Sequence, residues 1–129
     1  MKRVTGIGGI FFKANDPDAL RKWYGDHLGI ESEGDSGAMF SWREAENPEQ
    51  EGFTTWSAFP ADTRYFDPSK APFMINYRVA DLDLLLQQLR DEGVEVDPRI
   101  EEYEYGRFAW IMDPEGNRIE LWEPPASEK

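Results

Sequence analysis

Hydrophobic and polar residues alternate along residues 7–14, which is the pattern of a β-strand with two different faces. Phe12 falls on one face of this strand, and Gly9, Phe11 and Lys13 fall on the other. This strand and the helix after it have a second copy later in the chain. The comparison of the two copies depends on which face of its strand each residue occupies.

A helix is predicted directly after this strand. Asp16 can accept hydrogen bonds from free backbone N–H groups, and Pro17 suits the first helical position. Gly29 can end the helix because glycine readily adopts the left-handed conformation. Four apolar residues recur at helical spacing and predict one apolar face: Leu20, Trp23, Tyr24 and Leu28.

The same pattern appears a second time from residue 73 onward. Residues 73–79 alternate as a strand, Asp81 can cap a second helix, and Gly93 can end it. One face of this strand carries Met74, Asn76 and Arg78, and the stripe of the helix consists of Leu82, Leu85, Leu86 and Leu89.

The two copies align when Asp16 is placed over Asp81. The alignment then puts Gly9 over Met74, Phe12 over Tyr77, Lys13 over Arg78 and Leu20 over Leu85. A repeat of about sixty residues is too long for a solenoid unit and indicates a duplicated module. We therefore interpret residues 1–129 as one domain, with module one at about 5–60, a linker at about 61–72 and module two at about 73–123.

Further strands are predicted around these repeats, and the segments between them read as turns. Residues 44–52 are predicted to be a polar loop, and Tyr65 and Phe66 of the linker are expected to fold back onto the body. The remaining strand candidates are residues 38–43, 53–59, 94–96, 106–112 and 118–123. Residues 113–117, Asp-Pro-Glu-Gly-Asn, are a dense turn signal.

Composition and charge exclude several classes of protein. The net charge of −12 disfavours binding to nucleic acid and to anionic membranes, although its ordinary role is to keep a protein soluble. The absence of cysteine excludes disulfides, thiolate nucleophiles and thiolate metal sites. With no predicted signal peptide or membrane span, we expect a cytoplasmic protein.

Two further segments resemble the vicinal-oxygen-chelate superfamily, which includes glyoxalase I, extradiol dioxygenases and bleomycin-resistance proteins. Residues 23–29, Trp-Tyr-Gly-Asp-His-Leu-Gly, are similar to the end of the family's first helix, and residues 113–121 are similar to its closing turn and strand. The resemblance implies an α+β fold in which two βαβββ modules form a curved eight-stranded mixed sheet around a cup, with the helices outside. It also implies that the protein is a homodimer.

The resemblance also allows a test for a metal site, because metal-using members place ligands on the first and last strands of each module. Three of the corresponding positions here are unsuited or poorly suited to a divalent ion: Gly9, Met74 and a position near Trp56. Only Glu120 keeps a suitable side chain, and one carboxylate cannot hold a catalytic ion. We therefore predict no metal and no cofactor, although a shifted strand register would reopen the question.

The inward faces predict a small-molecule site with aromatic walls and a few polar groups. Glu120 is the candidate catalytic base, because burial in an apolar cup would raise its pKa. Alternatively, Arg78 or Arg118 pairs with Glu120 and the charges satisfy one another. The candidate ligand-binding residues are Phe11, Lys13, Trp56, Met74, Asn76, Arg78, Trp110, Arg118 and Trp122.

Three functions are compatible with this reading. The first is a metal-independent protein of the glyoxalase/bleomycin-resistance type that binds a small aromatic or cationic molecule, although inward Lys13, Arg78 and Arg118 would better suit an anion. The second is a lyase, isomerase or dioxygenase of the glyoxalase superfamily that uses Glu120 as base or metal ligand. The third is an interaction module whose aromatic surface binds a protein. We predict the first.

Overall fold

The computed structural model of the chain describes residues 3–34 and 37–125. Two helices and seven strands account for most of these residues. In chain order they are β1 (Val4–Ala14), α1 (Pro17–Leu28), β2 (Ala38–Glu44), β3 (Asn47–Pro60), β4 (Phe73–Val79), α2 (Leu82–Asp91), β5 (Val96–Tyr103), β6 (Gly106–Met112) and β7 (Arg118–Glu123).

The strands form one curved, unclosed sheet with the order β2-β3-β1-β4-β7-β6-β5. Strands β1 and β4, the first strands of the two predicted modules, pair antiparallel at its centre. Each has a parallel partner from its own half of the chain, because β3 pairs with β1 and β7 pairs with β4. The predicted α+β class with a curved mixed sheet is confirmed.

The predicted number of strands was wrong, because the described residues contain seven strands and not eight. Topology shows which strand is missing: β3 occupies the place of β7 and β2 that of β6, whereas β5 has no counterpart among the described residues of the first half. The described residues between α1 and β2 contain Gly34 and Gly37 with positive φ angles of 55° and 85°. Such backbone turns sharply and does not continue a pleated strand.

Two predicted boundaries were also wrong. Residues 44–52 were expected to form a loop, but most of them belong to β3, which pairs with β2 around a two-residue turn. Likewise β5 extends well beyond the predicted residues 94–96, past Pro98, which an edge strand tolerates. In both segments the hydrogen bonds to a neighbouring strand outweigh a polar composition that by itself suggests a loop.

Helix α2 packs firmly onto the sheet and supplies much of the core. Asp81 caps it by accepting a hydrogen bond from the backbone N–H of Leu84 at 3.1 Å, and Gly93 follows its end with a φ of 82°. One core cluster joins three leucines of α2 to strands β4, β6 and β7: Val79, Leu82, Leu85, Leu86, Ala109 and Leu121. Neither helix in the described part of the chain is long and apolar enough to span a membrane.

Helix α1 lies on the sheet less deeply than its apolar face predicted. Asp16 caps it through the backbone N–H of Ala19 at 3.1 Å, and Gly29 ends it in the left-handed conformation, both as expected. However, α1 has no fully buried side chain, and Trp23 remains 49% exposed. Its contact with the sheet is largely aromatic, since Tyr24 packs on Trp56 with ring centroids 4.9 Å apart.

The connection between β3 and β4 folds back across the body of the protein, as expected. Phe66 is fully buried and forms a second core cluster with Met74 and Trp110. Its neighbour Tyr65 stacks on Phe59 of β3, with ring centroids 5.7 Å apart and planes within 7°. This cluster lies beneath the cavity described next.

Candidate functional site

A cavity of about 540 Å³ lies on the concave face of the sheet. The cavity and the α2 core lie on opposite faces of the sheet, because successive side chains of a strand point to opposite faces. In β7, Glu120 and Trp122 face the cavity, whereas Leu121 faces the helix. Its lining comes from all seven of the described strands, the β3–β4 connection and the β5–β6 turn: Gly8, Phe11, Met39, Phe53, Thr55, Phe59, Tyr65, Asn76, Glu101, Tyr103, Tyr105, Phe108, Trp110, Glu120 and Trp122. This volume is within the usual range for a small-molecule site.

Five of the residues proposed from sequence line this cavity together: Phe11, Asn76, Trp110, Glu120 and Trp122. They come from β1, β4, β6 and β7, and the sheet order explains why they meet. Asn76 pairs directly with Glu120 across β4 and β7, and Glu120 pairs with Trp110 across β7 and β6. Cross-strand neighbours on one face of a sheet place their side chains close together.

Three other proposed residues lie outside the lining. Met74 is fully buried in the cluster beneath the cavity. The Lys13 ammonium lies 5.6 Å from the ring centroid of Phe66, a distance typical of a cation–π contact. Trp56 is on the helix side of the sheet, where its ring packs on Phe12 at 5.0 Å.

The two proposed arginines are also outside the lining, and each has another carboxylate as its partner. Arg78 forms an ion pair with Glu44, with Nη1 and Oε2 2.9 Å apart. Arg118 lies 3.4 Å from Asp97, measured from Nη1 to Oδ2. The alternative was that one of these arginines pairs with Glu120. Instead, Arg78 pairs with Glu44 and Arg118 pairs with Asp97.

Glu120 is 1% exposed and is held by three uncharged donors. Asn76 Nδ2 donates to Oε1 at 2.6 Å, and Trp110 Nε1 donates to Oε2 at 3.0 Å. The Tyr65 hydroxyl also donates to Oε2. Two strands and the β3–β4 connection thus converge on one carboxylate, which fixes its orientation at the floor of the cavity.

The surroundings of Glu120 favour its protonated form. Burial raises the pKa of the Glu120 carboxyl above its usual range, because a charged carboxylate is poorly solvated there. Hydrogen bonds from Tyr65, Asn76 and Trp110 oppose the rise, and the charge of Arg118 opposes it as well. Burial and the nearby Glu120 charge also raise the pKa of the Tyr65 hydroxyl, so it remains a donor.

The outer wall of the cavity is an aromatic group of which the sequence analysis had singled out Trp122 alone. Tyr103 and Tyr105 stack with ring centroids 5.2 Å apart, and Phe108 stacks on Trp122 at 6.3 Å. Tyr103 also donates a hydrogen bond to Glu101, the second carboxylate in the lining. The aromatic spacing at 103, 105 and 108 was visible in the sequence, but its meaning depended on the β5–β6 hairpin.

Comparison with known proteins identifies the family. The model of the Glyoxalase/Bleomycin resistance protein/Dioxygenase superfamily matches residues 6–121, nearly the whole chain. The chain belongs to this superfamily. The resemblance found in the repeat and in the closing turn is thus confirmed.

Solved structures of the superfamily share the fold at low sequence identity. A methylmalonyl-CoA epimerase from Mycobacterium tuberculosis is 26% identical over 97% of this chain and 91% of its own, with a TM-score of 0.60. A Streptomyces coelicolor methylmalonyl-CoA epimerase in complex with 2-nitronate-propionyl-CoA is 20% identical over 95% and 99%, with a TM-score of 0.67. A superfamily member from Vibrio splendidus 12B01 is 11% identical over 91% and 97%, with a TM-score of 0.58. No curated protein matches the chain.

This superfamily member does not offer the donor set of a divalent metal site at the floor of its cup. The three groups that contact Glu120 use N–H and O–H donors, and the indole nitrogen of Trp110 is a donor only. Met74, one of the expected ligand positions, supplies a soft thioether that is packed against Phe66. Residues 3–34 and 37–125 contain no group of three His, Cys, Asp or Glu side chains placed to hold a metal.

Proposed function

We propose that this superfamily member binds a small molecule in the cup without the help of a metal, as a protein of the glyoxalase/bleomycin-resistance type. The observation that carries the proposal is the buried Glu120 at the floor of an aromatic cavity, oriented by three protein donors. In this arrangement the carboxylate can position a ligand directly. Apolar walls with few polar groups are typical of sites that bind small molecules.

The second candidate is an acid–base enzyme of the same superfamily, a lyase or isomerase. The observation that favours it is the raised pKa of Glu120, since a general base works best when its pKa approaches the operating pH. Glu120 would take a proton from a carbon next to a carbonyl group and return it to the opposite face or to a neighbouring carbon. Such a transfer leaves all atoms and electrons balanced and needs no oxidant.

The charge of the cup argues against the idea that this chain binds the same substrate as the solved epimerases. Structures of these proteins contain methylmalonyl-CoA or 2-nitronate-propionyl-CoA, which are anionic. The described residues that line the cup here include Glu101 and Glu120 but no Lys, Arg or His. An anionic ligand would therefore meet two carboxylates and no lining cation, which disfavours it by charge repulsion.

The first experiment measures the metal content of purified protein and the change in Tm on adding Ni²⁺, Zn²⁺ or Mn²⁺. We expect less than about 0.1 equivalent of bound metal per chain and no specific rise in Tm with any of the three ions. The same protein, kept in chelator, is then titrated with Nile red, an uncharged aromatic dye. One-to-one binding in chelator is the expected result.

Two outcomes would contradict the binding proposal. One equivalent of a divalent ion, or dye binding that chelator abolishes, would show that the site needs a metal. The enzyme candidate has its own test, in which phenylacetone, an uncharged ketone with acidic carbon-bound hydrogens, is incubated with the protein in D₂O. Deuterium uptake at the acidic carbon that is lost in Glu120→Gln would favour the enzyme over the binding protein.

We also propose that the protein is a homodimer, which the superfamily resemblance implies. Exposed apolar side chains on the helix side of the sheet, such as Ile10, Trp23 and Phe73, support it, because a monomer would leave them in water. Light scattering after size-exclusion chromatography tests the proposal. A mass of one chain at micromolar concentration would contradict it.

A further inference from the structure

Hydrogen-bond donors in the cup are largely used within the protein. Tyr65 and Trp110 donate to Glu120, Tyr103 donates to Glu101, and Trp122 Nε1 donates to the carbonyl oxygen of Tyr105 at 2.7 Å. At the floor of the cup, a ligand that brings only acceptors would therefore have to displace a hydrogen bond that Tyr65 or Trp110 makes to Glu120. Displacing a made hydrogen bond costs affinity unless the ligand restores it.

Hydrogen-bond acceptors in the cup, by contrast, remain available. Asn76 is 3% exposed, and its Oδ1 is buried without a hydrogen-bond partner. Glu120 Oε1 receives one donor, from Asn76, and a carboxylate oxygen can accept two. A buried acceptor without a partner is costly, so a ligand that donates to Asn76 and Glu120 would remove an existing penalty.

The charge of the cup agrees with this count of donors and acceptors. Glu101 and Glu120 are the charged residues in the lining that the structure describes, and both are acidic. The guanidinium groups of Arg99 and Arg118, which lie over the ring of Trp110, both pair with Asp97. The charged side chains that line the cup are therefore acidic, and a cationic ligand that pairs with Glu120 would favour the ionised form of this carboxyl.

The walls of the cup favour a flat ligand. Tyr103, Tyr105, Phe108 and Trp122 form the aromatic outer wall, with two stacked pairs joined edge to face. Aromatic faces attract both planar rings and cations, so one ligand could use both properties.

We propose that the cup selects a planar aromatic cation of the amidinium or guanidinium type, whose N–H groups donate to Glu120 and Asn76. This inference rests on the proposed binding function and specifies the chemistry of its ligand. A planar cation with several N–H donors satisfies both acceptors at once and neutralises the buried carboxylate. An anion of the same shape does neither.

The experiment compares three ligands of nearly the same shape but different charge: benzamidine, benzamide and benzoate. Each is added to the full-length protein loaded with Nile red, and displacement of the dye gives its relative affinity. We expect benzamidine to bind roughly tenfold or more tightly than benzamide, since a charge-assisted hydrogen bond is about twice as strong as a neutral one. We expect benzoate not to displace the dye.

Two variants locate the effect at the floor of the cup. Glu120→Gln keeps the shape of the side chain but removes its charge, so the preference for benzamidine over benzamide, measured by calorimetric titration without the dye, should disappear. Glu102→Gln makes the same change of charge one residue after Glu101, at an exposed position outside the lining. It should leave the preference within about twofold, because exposed charges are strongly screened.

Each outcome decides one of the two proposals. If Nile red does not bind the wild-type protein, the binding function itself fails. If the dye binds but the three ligands show equal affinity, or if benzoate binds best, the binding function stands and the cationic ligand class is wrong. A preference for benzamidine that survives in Glu120→Gln would also overturn the inference.

Discussion

At the scale of single residues, Glu120 is the point on which the site depends. Three donors reach it from three parts of the chain, yet burial still raises its pKa. The carboxyl is therefore oriented by its hydrogen bonds, but these do not offset the cost of burying its charge, and the pH dependence of stability should report this balance.

Glu120→Gln should raise the Tm at pH 7. The pKa of Glu120 is higher in the folded state than the value of about 4.3 expected for an unfolded chain, so stability falls as the pH rises through that window. Glutamine does not titrate, and Asn76 can turn its unpartnered Oδ1 toward the new amide. Thermal melts from pH 4 to pH 8 measure the difference between the two proteins.

The difference in Tm between Glu120→Gln and wild type should shrink as the pH falls toward about 4, because Glu120 is then protonated in both states. Exposed Glu102→Gln is the matched control and should show no such trend. A Tm of Glu120→Gln below that of wild type at pH 7 would mean that the three hydrogen bonds outweigh the burial of the charge.

Tyr65→Phe should destabilise the protein by about 1 to 2 kcal/mol, since it removes one hydrogen bond to a charged group while the ring can still stack on Phe59. Urea unfolding at pH 7 measures this change. Tyr105→Phe, at the exposed end of the aromatic wall, is the control and should change the free energy of unfolding by less than about 0.5 kcal/mol. Equal effects of the two variants would argue against a specific role for the Tyr65 hydroxyl.

At the scale of elements, the two helices have similar caps but different roles. Asp16 and Asp81 each accept a hydrogen bond of 3.1 Å from a backbone N–H three residues later. Helix α2 buries three leucines in the core, whereas α1 has no fully buried side chain. The same capping substitution should therefore have different consequences in the two helices.

Asp81→Ala should lower the free energy of global unfolding by about 1 kcal/mol, because its helix is part of the cooperative core. Asp16→Ala should instead mainly increase local opening of α1. Hydrogen exchange of the amides in β6 and in α1, together with urea unfolding, separates the two effects. Faster exchange throughout the core in Asp16→Ala would show that α1 unfolds together with the sheet.

The connection between β3 and β4 is the element that completes the site. It carries Tyr65 to Glu120 and anchors itself through the buried Phe66. Alternation along a strand cannot predict such a contact, because the connection has no regular period. Two aromatic residues within a polar linker were the only available sign that it packs against the body.

At the scale of the whole molecule, a net charge of −12 on a chain of 129 residues should make stability sensitive to salt. Raising NaCl from about 0.01 M to about 0.15 M shortens the screening length from about 30 Å to about 8 Å. We expect the Tm to rise, because repulsion among the excess carboxylates weakens. Melts in NaCl and in KCl at matched ionic strength measure the effect, with sucrose as an uncharged control.

A fall in Tm over the same range of salt would contradict this expectation. It would mean that surface ion pairs such as Arg3 with Glu92 and Arg107 with Asp83 contribute more than the general repulsion. Exposed pairs of this kind are usually worth less than about 1 kcal/mol each, which is why we expect repulsion to dominate.

The sequence by itself indicated a duplicated unit, because strand, capped helix and glycine occur twice and Asp16 aligns with Asp81, and the superfamily resemblance of residues 23–29 and 113–121 then implied the α+β fold class. Period-two alternation also predicted Asn76, Glu120 and Trp122 on the inward faces of their strands, since side-chain direction in a strand follows from position alone. Where local pattern and chemistry agree, the elements follow from the sequence.

Only the tertiary structure decided which partners the charged and aromatic groups find. Arg78 and Arg118 lie on predicted inward strand positions, yet they pair with Glu44 and Asp97 because the pairing of strands and the path of loops bring those carboxylates closer. The reach of Tyr65 to Glu120 likewise depends on contacts between residues distant in the chain. Local periodicity carries no information about such distances, so the hydrogen bonds at the floor of the cup and the complete aromatic wall became visible only in three dimensions.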